Sequence, residues 1–248
     1  MNSQGHRIRH LVLVLAVSAS AATAHAQSES PWVADVAIGV DVSINGNINS
    51  GAIGVLQGQT AAILPNPYGD VYGTGLLFRF GGGYVLNDEV TELRGVFTYQ
   101  SADANLVRLG DLGPSSLYGQ YADHKTLSLD FGYRRYVPLD GGKVSFYGEG
   151  TVGIAFIDEI DVLLAAPQSN IVFNQTDFYD QTAAFTLGVS VGVLFPVAEK
   201  VDLTAQLGLR RVSGLADVDQ FEGTGLDDIN DDSARLTFPI VIGFRFRF

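Results

Sequence analysis

Eight stretches of this chain place large apolar residues at every second position, with small, polar or charged residues between them. No other feature narrows the fold as far. A period of two marks a strand whose two faces meet different solvents. In the first stretch Val36, Ile38, Val40, Val42 and Ile44 alternate with Asp35, Ala37, Gly39, Asp41 and Ser43. In the last, Leu236, Phe238, Ile240, Ile242, Phe244, Phe246 and Phe248 oppose Arg235, Thr237, Val241, Gly243, Arg245 and Arg247. Six more lie over 76–86, 92–99, 126–134, 144–156, 185–195 and 201–210. Each is close to the roughly 9–11 residues that a tilted strand needs to cross a bilayer. The connections alternate as well. "NDE", "LDGGK" and "VAEK" are tight turns, whereas 45–74, 101–124, 158–182 and 212–233 are long. Long loops at one end and short turns at the other is the asymmetry of outer-membrane barrels, and an even strand count lets the sheet close without an edge. The fold class expected is therefore all-β: an eight-stranded antiparallel up-and-down transmembrane β-barrel with short periplasmic turns and long extracellular loops.

Periodicity does not say which face points outward. A soluble eight-stranded barrel would put the apolar face inside. Three observations favour the inverted arrangement. The non-apolar face carries six acids (Asp35, Asp41, Glu92, Asp130, Glu149, Asp202) and seven arginines (Arg79, Arg94, Arg134, Arg210, Arg235, Arg245, Arg247). That near balance suits charges that must pair in a confined lumen, and the long loops hold 16 of the 27 acids. Gly81, Gly83, Gly132, Gly153, Gly188, Gly192, Gly208 and Gly243 share the polar face, where they leave room for arginine side chains. Aromatic residues gather near the short-turn ends: Trp32, Tyr84, Tyr133, Tyr136, Phe146, Phe195 and the terminal phenylalanines. They read as one interfacial girdle, with Tyr99 and Phe156 as candidates for the other.

The remaining composition is consistent with export. Arg7, Arg9 and His10 precede the short apolar run "LVLVLAVSASAA" and the small residues "AHA", so residues 1–26 read as a cleaved signal peptide and 27–248 as the barrel domain. Taking Arg7 and Arg9 from the 15 basic residues leaves 13 against 27 acidic ones, a net charge near −14 that excludes a nucleic-acid-binding surface. Cysteine is absent, so no disulfide supports an exported domain of this size. No later segment reaches 18 consecutive apolar residues, which leaves strands as the means of crossing a membrane.

On the alternating pattern, the loop asymmetry and the closing "IVIGFRFRF", the chain resembles the small eight-stranded outer-membrane barrels of the OmpA, OmpX and opacity-protein type, over nearly all of residues 31–248. That resemblance implies the cell outer membrane as location, with outer-membrane lipid and lipopolysaccharide around the barrel. It also implies an assembly signal in Phe244, Phe246 and Phe248, read by the barrel-assembly machinery. A monomer, no cofactor and an unidentified extracellular partner contacted through the loops complete the expectation.

Inside an eight-stranded barrel side chains fill the available space. Strand adjacency places Arg245 and Arg247 beside Asp202 and Asp35, and pairs Glu92 with Arg134 near Arg94, Asp130 and Glu149. Arg79 and Arg210 belong to the same lumen set. Pro239 interrupts the last strand and suggests a bulge. A structural or surface-interaction role (envelope integrity, adhesion) is the first reading, a narrow porin-like pore the second and a lipid-modifying hydrolase the third. Against catalysis, His124 and Ser128 lie four residues apart on one strand, about 13 Å, which is too far for a nucleophile and its base. No metal is implied. The acidic loop 214–233 offers Asp227, Asp228, Asp231 and Asp232 as its only cation-binding candidates, without the spacing of an EF-hand. The stretches 52–64 and 160–166 are more apolar than surface loops need to be, and are read as short helices or hairpins packing over the barrel mouth or meeting a partner.

Overall fold

The structure is a computed structural model that describes residues 30–86, 89–139, 144–173, 175–230 and 233–248. The expected signal peptide, Asp231 and Asp232 lie outside the described residues. Eight long strands follow the alternating stretches: β1 (Trp32–Asn45), β2 (Gly75–Val85), β3 (Thr91–Ala102), β4 (His124–Pro138), β5 (Ser145–Ile157), β6 (Thr182–Ala198), β7 (Val201–Val212) and β8 (Arg235–Arg247). Each pairs antiparallel with its neighbour in sequence, and β8 pairs with β1 (Asp35 opposite Arg245, Val40 opposite Ile240), so the barrel is closed. Phe248 lies just past the last strand, and its carbonyl accepts from the Ser30 N–H at 2.9 Å.

The apolar face points outward. Ile38, Phe78, Phe97, Phe131, Ile154, Leu187, Leu207 and Ile242 are exposed, while the alternate positions are buried in the lumen. The charged side chains on the outer face of these strands are Lys125 and Arg211 near one end and Arg135 near the other. From Lys125 to Arg135 the chain advances by ten residues. At about 3.3 Å per residue and a tilt of about 40° that step rises about 25 Å, the height of a hydrocarbon core. A closed barrel with an uncharged outer belt of that height and a charged interior is a membrane-spanning barrel of the outer-membrane type. Trp32 packs edge-on against Tyr84 (ring centroids 5.0 Å apart) in the periplasmic girdle.

Two expectations about the strands are corrected. Tyr136 belongs to the lumen rather than the girdle: its position has the parity of Arg134, and its ring is buried against Tyr147. Pro239 produces no bulge. It stays in register opposite Asp41, while the pairing with β7 lapses at Gly208 and Leu209 and resumes at Arg210 opposite Thr237.

Above the barrel the long connections are themselves folded. The first supplies the hairpin Ala52–Leu56 and Gln59–Ile63, the second Leu106–Leu112 and Ser115–Tyr121, the third Ile160–Ala166 and Thr176–Asp180, and the fourth the short strand Ala216–Asp217. These segments pair side by side across connections: Ala61 opposite Leu112, Val162 opposite Tyr121, Tyr179 opposite Asp217. The fourth connection returns to the first through Val55 N–H to Thr224 C=O (2.8 Å) and Ser50 N–H to Ile229 C=O (2.7 Å), completing a ring. Its interior is a hydrophobic core that includes Ile48, Tyr68, Leu112, Leu117, Ile160, Phe178 and Leu226. The stretches 52–64 and 160–166 thus form strands whose inward residues close the barrel mouth.

Candidate functional site

The lumen is where the polar chemistry of the chain converges, and it is organised in three layers. The lowest, toward the periplasm, is a continuous ion-pair network. Arg134 holds Glu149 through Nε (2.7 Å) and Nη2 (2.6 Å), and Arg94 joins Glu149 (3.4 Å), Asp35 (3.0 Å) and Glu92 (3.6 Å). Arg245 bridges Glu92 (3.0 Å) and Asp202 (3.4 Å), and Arg247 reaches Asp202 (3.3 Å) with its side chain 34% exposed at the mouth. Aromatic rings brace these guanidinium groups. Arg134 sits 4.0 Å over Tyr147 and Arg245 5.0 Å over Tyr136, whose hydroxyl donates to Glu92. Polar-face glycines make the space: a Cβ on Gly132 would come within 2.9 Å of Arg94 Cγ, and one on Gly192 within 2.4 Å of the Tyr147 ring. Burying such charges costs several kcal/mol each unless they are paired, so the pairing is what makes this layer tenable.

Strand adjacency predicts these contacts only in part. Asp35 lies opposite Arg245 in the ladder, yet Asp35 is held by Arg94 and Arg245 turns to Glu92 and Asp202. Glu92 lies opposite Arg134, yet Arg134 selects Glu149 on its other side. For Arg94 and Arg245 the reason is reach, whereas Arg134 and Glu149 stand directly opposite each other on β4 and β5. An arginine side chain crosses a lumen this narrow, so a partner two or more strands away competes with the neighbour. Asp130 is not part of this layer; it pairs with Arg210 (3.2 Å) and accepts from Thr186 (2.5 Å) higher in the lumen. Tyr136, Tyr147 and Gln206 join the network without carrying a charge. Tyr147 and Gln206 share the inward parity of the charged residues, and that parity is the sequence signal for their place in the lumen.

The middle layer contains Arg79, Arg210, Arg235, Asp41 and Asp130. Arg79 donates to Gln206 Oε1 (3.2 Å), and Arg235 donates to Gln100 Oε1 (3.2 Å) beneath the ring of Tyr68 (5.5 Å). The top layer is aromatic. His124, buried at the start of β4, meets Tyr68 and Tyr72 edge-on at 6.4 and 5.4 Å. Tyr68 donates to Ser233 C=O (3.0 Å) and Tyr72 to Ala122 C=O (2.9 Å), fixing the short helix Tyr68–Val71 across the mouth. Burial pushes the phenols of Tyr72 and Tyr121 well above their ordinary range. The mouth is thus sealed by packed rings continuous with the apolar core above it.

Other candidate residues are placed as follows. His124 Nδ1 is 3.3 Å from Thr126 Oγ1, while Ser128 donates to Thr98 C=O (3.4 Å), so the two are not brought together. In the acidic loop Asp227 accepts from the N–H groups of Gly223 (2.5 Å) and Gly225 (3.1 Å), which makes it an organiser of its own turn. Asp228 is exposed. Among the described residues no three His, Asp or Glu side chains form a cluster able to hold a metal ion.

No family model and no curated protein matches the chain. Among solved structures it is similar to Neisserial surface protein A, with 14% identity over 90% of this chain and 100% of that one, at a TM-score of 0.44. It is similar to the outer membrane protein OprG from Pseudomonas aeruginosa, with 12% identity over 89% and 97% and a TM-score of 0.47. It is similar also to the outer membrane protease OmpT from Escherichia coli, with 9% identity over 90% and 99% and a TM-score of 0.44. The architecture of this chain rests on its own strand pairing and its own outward apolar belt.

Proposed function

We propose that this protein is a non-conducting, non-catalytic outer-membrane barrel that holds a folded, acidic cap at the cell surface, where the cap meets an extracellular partner or contributes to envelope integrity. The observation that carries this reading is the double seal. A paired-charge layer fills the periplasmic half of the lumen, and a hydrophobic core fills the mouth. Either layer alone would obstruct hydrated ions; a pore would require both to move. The cap also has what a contact surface needs, because its backbone is held by strand pairing rather than left as mobile loops, and its acids face water.

Two measurements test the proposal. In planar bilayers the purified protein shows no conductance steps, and neither does Glu149→Ala, because the upper seal remains; regular steps from the intact protein would refute the non-conducting reading. Surface crosslinking on intact cells yields adducts that require the hairpin 52–63. Adducts unchanged after that hairpin is replaced by a short Gly–Ser turn would argue against the cap as the contact surface.

A further inference from the structure

The outer wall of the cap carries an apolar face beside an acidic cleft. Residues directly opposite each other in an antiparallel pair share a face of the sheet. Leu106 stands opposite Gln120, and Gln120 opposite Leu163. In the next row Arg108 stands opposite Tyr118, Tyr118 opposite Ala165 and Ala165 opposite Val172. Leu106, Leu163 and Val172 are exposed, whereas the alternate residues Leu117, Tyr121, Val162 and Leu164 are buried in the cap core. The two rows therefore look outward across four strands, about 14 Å at a strand spacing of about 4.8 Å. The one charge in these rows, Arg108, is neutralised by Asp111 at 2.7 Å.

At the lower edge of that face, where the cap joins the barrel, lies an open cleft of about 640 Å³ lined by Tyr121, Asp123, Lys125, Asp158, Glu159 and Asp161. Asp161 is two residues from Leu163 on the same strand, so the cleft and the face adjoin. Asp161 also stands directly opposite Asp177, where like charges repel. Gln175 donates to Asp161, and the Ala104 N–H donates to Asp123 (3.3 Å). Among the described residues no cation, Lys125 included, comes within 4.0 Å of the carboxylates of Asp123, Asp158, Glu159, Asp161 or Asp177. These acids are spread along the cleft rather than gathered: among the described residues no three can hold a metal ion. A cation on a long stem, an ammonium or guanidinium side chain, suits such a space better than a bare ion.

We infer that this face docks a basic amphipathic segment of an extracellular protein. The apolar side chains of the segment lie over Leu106, Leu163 and Val172, and an arginine or lysine enters the cleft. The inference rests on the cap as a contact surface and adds the face and the chemistry of its partner. A charge-depleted apolar area around a tyrosine, with a polar border, has the composition of a protein interface. Opposite charge at the edge fixes the orientation of the incoming segment and speeds its arrival. Lipid headgroups bearing phosphate are repelled by the same carboxylates. An extended segment of four residues, at about 3.4 Å each, spans the face.

The probe is the tetrapeptide acetyl-Arg-Leu-Arg-Leu-amide, titrated into the isotope-labelled protein in nonionic micelles while amide resonances are followed by NMR. The amides of Gln120, Asp161 and Leu163 shift and saturate. Asp158→Asn combined with Asp161→Asn weakens binding about fivefold, and Leu163→Ser does so by about the same factor. Glu222→Gln combined with Asp228→Asn removes the same net charge from the fourth connection, where both acids are exposed, and leaves the affinity within about twofold. Equal weakening by the two acid pairs would reduce the attraction to net charge and overturn the docking face. So would equally tight binding of acetyl-Arg-Ser-Arg-Ser-amide, or shifts that avoid the face altogether. On intact cells the Asp158→Asn, Asp161→Asn variant gives several-fold fewer surface adducts than the wild type. Undiminished adducts would sink this face and leave the cap as a contact surface. A wild type that forms no adducts would remove that broader reading, and the titration would still decide the face.

Discussion

The two storeys of this molecule are built from the same antiparallel pairing, yet they invert each other's chemistry. In the membrane barrel the inward positions carry arginine, aspartate and glutamate and the outward positions carry leucine, isoleucine and phenylalanine. In the cap Leu112, Leu117, Ile160 and Phe178 point inward, while Asp111, Gln120 and Asp161 face outward or lie partly exposed. Solvent explains the reversal. Lipid accepts an apolar surface and rejects a polar one, so the barrel exports its hydrophobic residues and pairs its charges where lipid is absent. Water reverses both preferences. Two adjoining segments of one chain thus show that side-chain parity encodes the surrounding medium and does not by itself encode "core".

Breaking each interior in its own terms gives the largest expected effects. Arg134→Met removes the cation that holds Glu149 by two nitrogens and should cost about 3–5 kcal/mol in urea unfolding of the micelle-bound barrel. Replacing the pair together, Arg134→Met with Glu149→Leu, should recover most of that loss, because no charge is then left stranded. In the cap there is no such rescue: Leu117→Ala leaves a void in the apolar core and should cost about 2–5 kcal/mol, seen as protease cleavage confined to the hairpins. A double replacement as damaging as the single one would show that the lumen is specified by something other than charge pairing.

The same substitution on the two outer faces sharpens the boundary between storeys. Phe131 is 65% exposed and stands between Lys125 and Arg135 on β4; Ile53 is 74% exposed on the first cap hairpin. Phe131→Arg should destabilise the barrel in lipid vesicles by about 2–4 kcal/mol, whereas Ile53→Arg should change stability by less than about 0.5 kcal/mol. Near-equal costs would mean that the membrane covers the cap hairpin as well, and that the polar boundary drawn at Lys125 is misplaced.

The barrel was legible in the sequence because its signal is long and regular: eight stretches keep one parity for most of their length, and the turn asymmetry sets their order. The cap was legible only as an excess of apolar residues in 52–64 and 160–166. Its strands are short, and the register shift between Arg108 and Gly110 breaks parity, so that Leu109 and Leu112 are both buried. Tyr68 and Tyr72, which close the mouth, sit on a helix of four residues that no periodicity can announce. In the lumen the set of charges was readable from parity, but the choice of partners was not. Arg94 on β3 reaches Asp35 on β1, and Arg245 on β8 reaches Glu92 on β3; such contacts depend on barrel diameter and side-chain length, which a list of adjacent strands does not contain.

The smallest effect expected bears on how the cap is made. Its first hairpin turns through Gln57 and Gly58, both at positive φ (49° and 76°), the backbone of a type I′ turn that matches the twist of the flanking strands. Glutamine is an uncommon residue for the first of these positions, which is one reason the sequence left helix and hairpin as equal alternatives there. Gln57→Asn relieves that strain without altering any inward residue and should stabilise the cap by a few tenths of a kcal/mol. Hydrogen exchange would show slower opening of the amides paired between Ala52–Leu56 and Gln59–Ile63, with the amides of β1–β8 unchanged. If protection rose in the barrel too, the storeys would unfold as one cooperative unit. Protection confined to the hairpin would show that the inversion of chemistry at the membrane surface is also a boundary of stability.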